Sequence, residues 1–236
     1  MIWLLRVQQQ LRCIRQRLLS LLLLQALSQR LVLLHGWGAD AHDLLELGPL
    51  LVGPEVEVVA LQAPWPHPAG MGRQWYDLQQ PNWPELPSAR AALKQRLLDL
   101  SRELPLENTI LLGFSQGAAM VLDVGTLAEG LDGRSCAALI GCSGYPHPGW
   151  DPQTPHKTKV LLTHGEQDPV VPFAASQALQ EQLQAAVDAL RQQMETQRAD
   201  HQAALQQHEA ALCLQLQELQ IQPQQVQMRQ KKRNLA

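Results

Sequence analysis

Five short apolar runs decide most of what this chain can fold into. "LVLLHG", "VEVVALQAP", "TILLGF", "AALIGCS" and "KVLLTHG" are rich in Val, Leu and Ile, too short for helices, and closed by turn signals. Strands apolar on both faces need cover on both faces, which is the pattern of parallel strands buried under helices. Helical patterns separate them: "SARAALKQRLLDLSREL", "AAMVLDVGTLAEGL" and the start of a third, "AASQALQEQLQ". This alternation predicts an α/β, doubly wound, mainly parallel sheet over residues 30–180. Such sheets bind ligands beyond the carboxyl ends of their strands. Those ends carry His35-Gly36-Trp37-Gly38, Gly113 to Gly117, Ser143-Gly144-Tyr145 and Asp168.

Both flanks differ from this core. Residues 1–29 contain no Gly or Pro, and Leu4, Val7, Leu11, Ile14, Leu18 and Leu21 recur three and four apart. That spacing predicts a helical extension with one apolar face. The segment "RQRLLSLLLLQALSQR" also has the basic-then-apolar order of an export signal, which is the alternative reading. Residues 181–236 are glutamine-rich, with no Gly, no aromatic residue and one proline, Pro223. Gln, Ala and Leu favour helix. The tail is therefore expected to be helical and to add no strand, and helical termini of this kind offer faces for self-association. No run of 18 apolar residues occurs, which argues against a transmembrane helix.

Composition narrows the function classes. A net charge of −3 and a pI near 6.2 give no reason to expect a nucleic acid partner. Cys13, Cys136, Cys142 and Cys213 have no metal-site spacing and read as reduced thiols of a cytoplasmic protein. Aromatic residues are scarce at 4%, yet Trp65, Trp75 and Trp83 fall in one short loop-rich segment, which suggests a binding surface there.

The sharpest motif is Gly113-Phe114-Ser115-Gln116-Gly117, between a strand and a helix. A serine on that turn projects its hydroxyl from the sheet, and the glycines let strand and helix approach closely. Ser115 is the candidate nucleophile. The helix start offers the Gln116 N–H to a developing oxyanion, and the glycine-flanked turn after the first strand offers that of Trp37. A serine hydrolase of this kind needs an acid to orient an imidazole, and Asp168 in "THGEQDPVV" has that place. Ser143 and Tyr145 read as residues at the rim. His35 and His164, at strand ends, read as structural.

Together "LLHGWGAD", "RQWYDL", "LLGFSQGAAM", "GCSGY" and "THGEQDPVVP" resemble the phospholipase/carboxylesterase family of α/β-hydrolases, which includes the acyl-protein thioesterases. The resemblance covers roughly residues 30–180. It implies an esterase or acyl thioesterase without metal or cofactor. It implies Ser115 as nucleophile, Asp168 as acid, Trp37 and Gln116 as backbone donors, and Trp75 and Tyr76 near the acyl pocket.

One departure concerns the base. Family members follow the acid with a helix, a last strand and a Gly-His turn, whereas no glycine follows Gly165 here. His201 and His208, seven apart in the tail, fit a helix face better than a strand-end turn. Two readings stay open: a serine-dependent ester or thioester hydrolase, and an impaired hydrolase-like scaffold with replaced or out-of-frame termini.

Overall fold

The computed structural model describes residues 14–16, 29–127, 131–152 and 158–233. Five parallel strands form one sheet in the order β2-β1-β5-β6-β7: β1 (Gln29–Leu34), β2 (Val56–Leu61), β5 (Thr109–Phe114), β6 (Ala138–Cys142) and β7 (Lys159–Thr163). These are the five apolar runs. Their side chains alternate between two cores, as the two-residue period of a strand requires. Val32, Leu34, Leu111 and Leu139 enter one; Leu31, Leu33, Ile110, Leu112 and Ile140 enter the other.

Helices cover both faces. On the first, α3 (Leu86–Leu100) presents Leu86, Ala89, Leu93 and Leu97, spaced three or four apart. Beside it α4 (Gln116–Thr126) is buried along its whole length, so its apolar character extends all round. Leu179, at the start of α5 (Phe173–Arg233), joins the same core. Each buried leucine contributes about 1.5–3 kcal/mol relative to an exposed one. The second face is covered by Leu44 of α1 (Ala41–Leu45), Leu51 of α2 (Gly48–Leu51) and Ile14. Ile14–Gln16 is helical; the rest of the expected helix over 1–28 lies outside the described residues.

One feature without a sequence signal is a two-residue hairpin, β3 (Trp65–Pro66) with β4 (Arg73–Gln74). Arg73 holds it down, donating from Nε to the Ala63 carbonyl (3.0 Å) and from Nη2 to that of Pro64 (2.6 Å). Backbone bonds from Gly38 N–H to Arg73 O (2.9 Å) and from Arg73 N–H to Ala39 O (2.8 Å) tie it to the turn after β1.

Residues up to Val187 form one compact unit and those from Asp188 another. In the second unit α5 continues to Arg233, with His201 and His208 exposed on it. The tail adds no strand among the described residues, and no described helix is long and apolar enough to cross a membrane.

The site depends on how closely α4 approaches the sheet. A β-carbon at Gly117 would stand 2.3 Å from the Leu34 carbonyl oxygen, and one at Gly113 2.3 Å from that of Gly117. Both obstacles are backbone, so neither can swing aside. Gly117→Ala is therefore expected to cost about 1–3 kcal/mol, the usual cost of overpacking. Urea unfolding monitored by tryptophan fluorescence checks this; an unchanged midpoint would contradict the close approach.

Candidate active site

Ser115 joins the last residue of β5 to the first of α4 with φ +49° and ψ −113°. A non-glycine residue in that region is strained and persists only where its surroundings hold it. Three contacts do so. Its N–H donates to the Cys142 carbonyl of β6 (2.8 Å). Gly36 lies against it, since a β-carbon there would sit 3.4 Å from the Ser115 β-carbon. The third is the buried side chain of Gln116. Its Oε1 accepts from the Trp75 N–H (2.9 Å), and its Nε2 donates to the Tyr76 carbonyl (2.7 Å). Among the described residues, the Ser115 hydroxyl and the N–H groups of Trp37 and Gln116 make no hydrogen bond. The fold thus leaves the Ser115 hydroxyl and both backbone donors unspent, as acyl transfer through an oxyanion would require of them.

Asp168 lies at the same end of the sheet, after β7 and two strands from Ser115, roughly 10 Å across at the usual strand spacing. Its Oδ1 accepts from the N–H groups of Val170 (2.9 Å) and Val171 (3.0 Å). Ser143 stands between. It too has a positive φ, +51°, and its N–H donates to the Thr163 carbonyl (2.8 Å). Partial burial works against the Asp168 charge. The Val171 and Val170 N–H groups, Ser143 and nearby His164 outweigh it and hold the carboxyl below its ordinary pKa.

The histidines near the strand ends are committed. His35 is buried, and its Nε2 accepts from the Ala63 N–H (3.1 Å). Its proton is therefore on Nδ1, which donates to the Gly36 carbonyl (2.8 Å). Burial lowers its pKa against the opposing pull of Gly36, Asp40 and Asp43, so the ring is neutral and pins the turn that carries Trp37. His164, its side chain 1% exposed, donates from Nε2 to the Val171 carbonyl (2.8 Å), and its Nδ1 meets the Ser176 hydroxyl. The Nε2 is 3.6 Å from Asp168. Both rings act as struts, in keeping with their strand-end positions.

The expected pocket residues divide. Trp75 and Tyr76 are 1% and 0% exposed, with polar atoms spent inside the protein; the Trp75 Nε1 donates to the His35 carbonyl (2.9 Å). They back the site, while Tyr145 and the 37%-exposed Trp37 keep open surface. Trp37 donates from Nε1 to the Gln74 Oε1 (2.8 Å) and meets the His67 ring edge-on at 4.2 Å between centroids. Sequence reasoning missed two histidines. The Nε2 of His67 is buried without a partner among the described residues, and His147 bonds to Tyr76 and Asp123. The "PHP" setting of each marks only a turn. Cys136 and Cys142 are free and buried, with thiol pKa values pushed up to about 12 mainly by burial, so they are unreactive. Among the described residues no group of three His, Cys, Asp or Glu side chains could hold a metal ion.

Two outcomes are expected. Gln116→Ala strands the Trp75 N–H and the Tyr76 carbonyl in the interior, at about 1–3 kcal/mol each, readable as a loss of about 2–6 kcal/mol in denaturant unfolding. Asp168→Asn should be less stable than wild type above the ordinary carboxylate range, about pH 4. A depressed carboxylate pKa stabilises the fold above its unfolded value, and that contribution is lost as pH falls through the folded value. Melting curves of the two proteins should converge below pH 3, whereas a gap that widens on acidification would contradict the assigned hydrogen bonds.

Comparison with known proteins agrees with this fold. A family model described as phospholipase/carboxylesterase matches residues 25–212. Esterase YpfH of Escherichia coli strain K12 is 30% identical over 165 residues, covering 66% of this chain and 68% of that protein. The crystal structure of esterase PE8 is similar with a TM-score of 0.58 and 33% identity, over 67% of this chain and 78% of that one. A phospholipase/carboxylesterase from Dyadobacter fermentans follows the fold with a TM-score of 0.51 and 26% identity, over 69% and 77%. With the family model spanning more than half of its residues, the chain belongs to the phospholipase/carboxylesterase family of α/β-hydrolases.

Proposed function

We propose that this carboxylesterase-type hydrolase works through Ser115 on small carboxylic esters or acyl thioesters. The observation that carries the reading is the strained Ser115 turn, held from three sides with its hydroxyl free. The hydroxyl oxygen attacks the acyl carbon and loses its proton to a base. The carbonyl oxygen becomes an anion stabilised by the Trp37 and Gln116 N–H groups. Collapse expels the alcohol or thiol, which takes up a proton, and leaves an acyl-serine. Water then attacks, releasing the acid and restoring Ser115. Asp168, held ionised, is the group that orients and stabilises an imidazolium. The chemistry needs no cofactor. The free buried cysteines support a cytoplasmic setting.

One observation favours a second reading, a slow or inactive scaffold. His35, His147 and His164, the buried histidines of the first unit, have both ring nitrogens engaged. None of these three has a ring nitrogen free to serve as the base, and His201 and His208 of the tail are poor candidates for it. A serine without a base is a poor nucleophile at neutral pH.

Hydrolysis of p-nitrophenyl acetate and butyrate separates the readings. Wild type should exceed Ser115→Ala by at least about a thousandfold, since removing a catalytic serine can cost about a millionfold. Equal rates for the two proteins would establish the scaffold reading instead.

A further inference from the structure

Beside the Ser115 turn runs a buried polar chain drawn from four parts of the sequence. Arg90 of α3 donates from Nε (2.6 Å) and Nη2 to one oxygen of Asp123 in α4. That oxygen also meets the Nδ1 of His147, whose Nε2 meets the Tyr76 hydroxyl at 2.8 Å. The Tyr76 hydroxyl meets that of Tyr145 at 2.7 Å. Trp83 covers the chain, its ring centroid 5.1 Å from Tyr76 and 5.8 Å from both Tyr145 and His147. Asn82 and Trp83 adopt positive φ values of 60° and 45° to set that cover, and such strain persists only where the surroundings impose it.

The direction of every bond in this chain follows from its charged end. The Asp123 oxygen that accepts from both Arg90 nitrogens is an acceptor toward His147 as well, so the His147 proton is on Nδ1. Burial, with Arg90 adding to it, keeps His147 neutral against the pull of Asp123. Its Nε2 therefore has a lone pair and accepts the Tyr76 proton. A phenol has one proton, so the Tyr76 oxygen must accept from Tyr145. Burial pushes the Tyr145 pKa up to about 12 and raises that of Tyr76, so both keep their protons in neutral solution. The single proton of Tyr145 is thus spent inward, and the partly exposed end of the chain has only lone pairs to offer.

Tyr145 stands where a substrate would feel this. It follows Ser143 and Gly144 at the end of β6, between the strands that carry Ser115 and Asp168. Its partner Tyr76 is bonded through its carbonyl to Gln116, the residue after Ser115. We propose that Tyr145 is a specificity-determining hydrogen-bond acceptor of the Ser115 site, selecting esters that bear an O–H or N–H donor near the scissile bond. This inference rests on Ser115 being the nucleophile. Esters with an apolar group in that place leave the acceptor unpaired, and those with a bare ether oxygen set lone pair against lone pair.

The test compares kcat/KM within matched pairs. On the alcohol side, 2-hydroxyethyl butyrate is set against propyl butyrate; on the acyl side, ethyl 3-hydroxybutyrate against ethyl 3-methylbutyrate. One pair should show a preference of about tenfold or more for the hydroxyl, the worth of one hydrogen bond, and it tells which half of the ester is read. Tyr145→Phe should bring that ratio to within about twofold of one. Tyr76→Phe should free the Tyr145 proton, so that 2-methoxyethyl butyrate gains several-fold over propyl butyrate, a gain that lost packing alone would not produce. Ratios near one for both pairs in wild type, or a preference that survives Tyr145→Phe, would overturn the inference while leaving the Ser115 reading intact. Wild-type rates on all four esters no higher than those of Ser115→Ala would remove both.

Discussion

The candidate site depends on one steric constraint, the backbone contact between α4 and the ends of β1 and β5. Gly113 and Gly117 leave so little room that a single methyl group would meet carbonyl oxygen at 2.3 Å in either place. This contact forces the chain to reverse from strand to helix within one residue, and that residue is Ser115. The positive φ of Ser115 is the local cost of the reversal. Burial of all of α4, the bond to Cys142 and the Gln116 clamp offset it. A hydroxyl free of hydrogen bonds among the described residues thereby stands at the carboxyl edge of the sheet.

Polar commitments around the turn divide the work. Neutral His35 fixes the Trp37 loop from beneath, and the Gln116 side chain couples the turn to the Trp75–Tyr76 segment. Ser143 repeats the positive φ of Ser115 one strand over, and its nearness helps hold the Asp168 carboxyl below its ordinary pKa. In low dielectric these bonds are stronger than in water, and each unmade one costs more. The site is accordingly rigid around Ser115.

Much of the sheet was legible in the sequence because a fully buried parallel strand needs an uninterrupted apolar run, and each of the five runs became a strand. The helices followed from apolar spacing, as with Leu86, Ala89, Leu93 and Leu97. The Ser115 turn was legible because its glycines answer a local steric demand. The β3–β4 hairpin was not, since two-residue strands have no periodicity and this one is held by Arg73 side-chain bonds. The Asp123–His147–Tyr76–Tyr145 chain was equally hidden. Its bonds join residues 24, 71 and 69 positions apart, and nothing in "SGYPHP" foretells a partner on α4. The burial of Trp75 and Tyr76 was likewise set by tertiary packing and not by local sequence.

The central claim is that Ser115 is an activated nucleophile. It is tested most directly by exposing the whole chain to a fluorophosphonate and mapping the product by mass spectrometry. An activated serine displaces fluoride and keeps the phosphonyl group, with no need for the right ester substrate. The account predicts one adduct per chain, on the peptide that contains Ser115, and none after heat denaturation. A chain that stays unmodified, or whose adduct maps to Ser143, would contradict it.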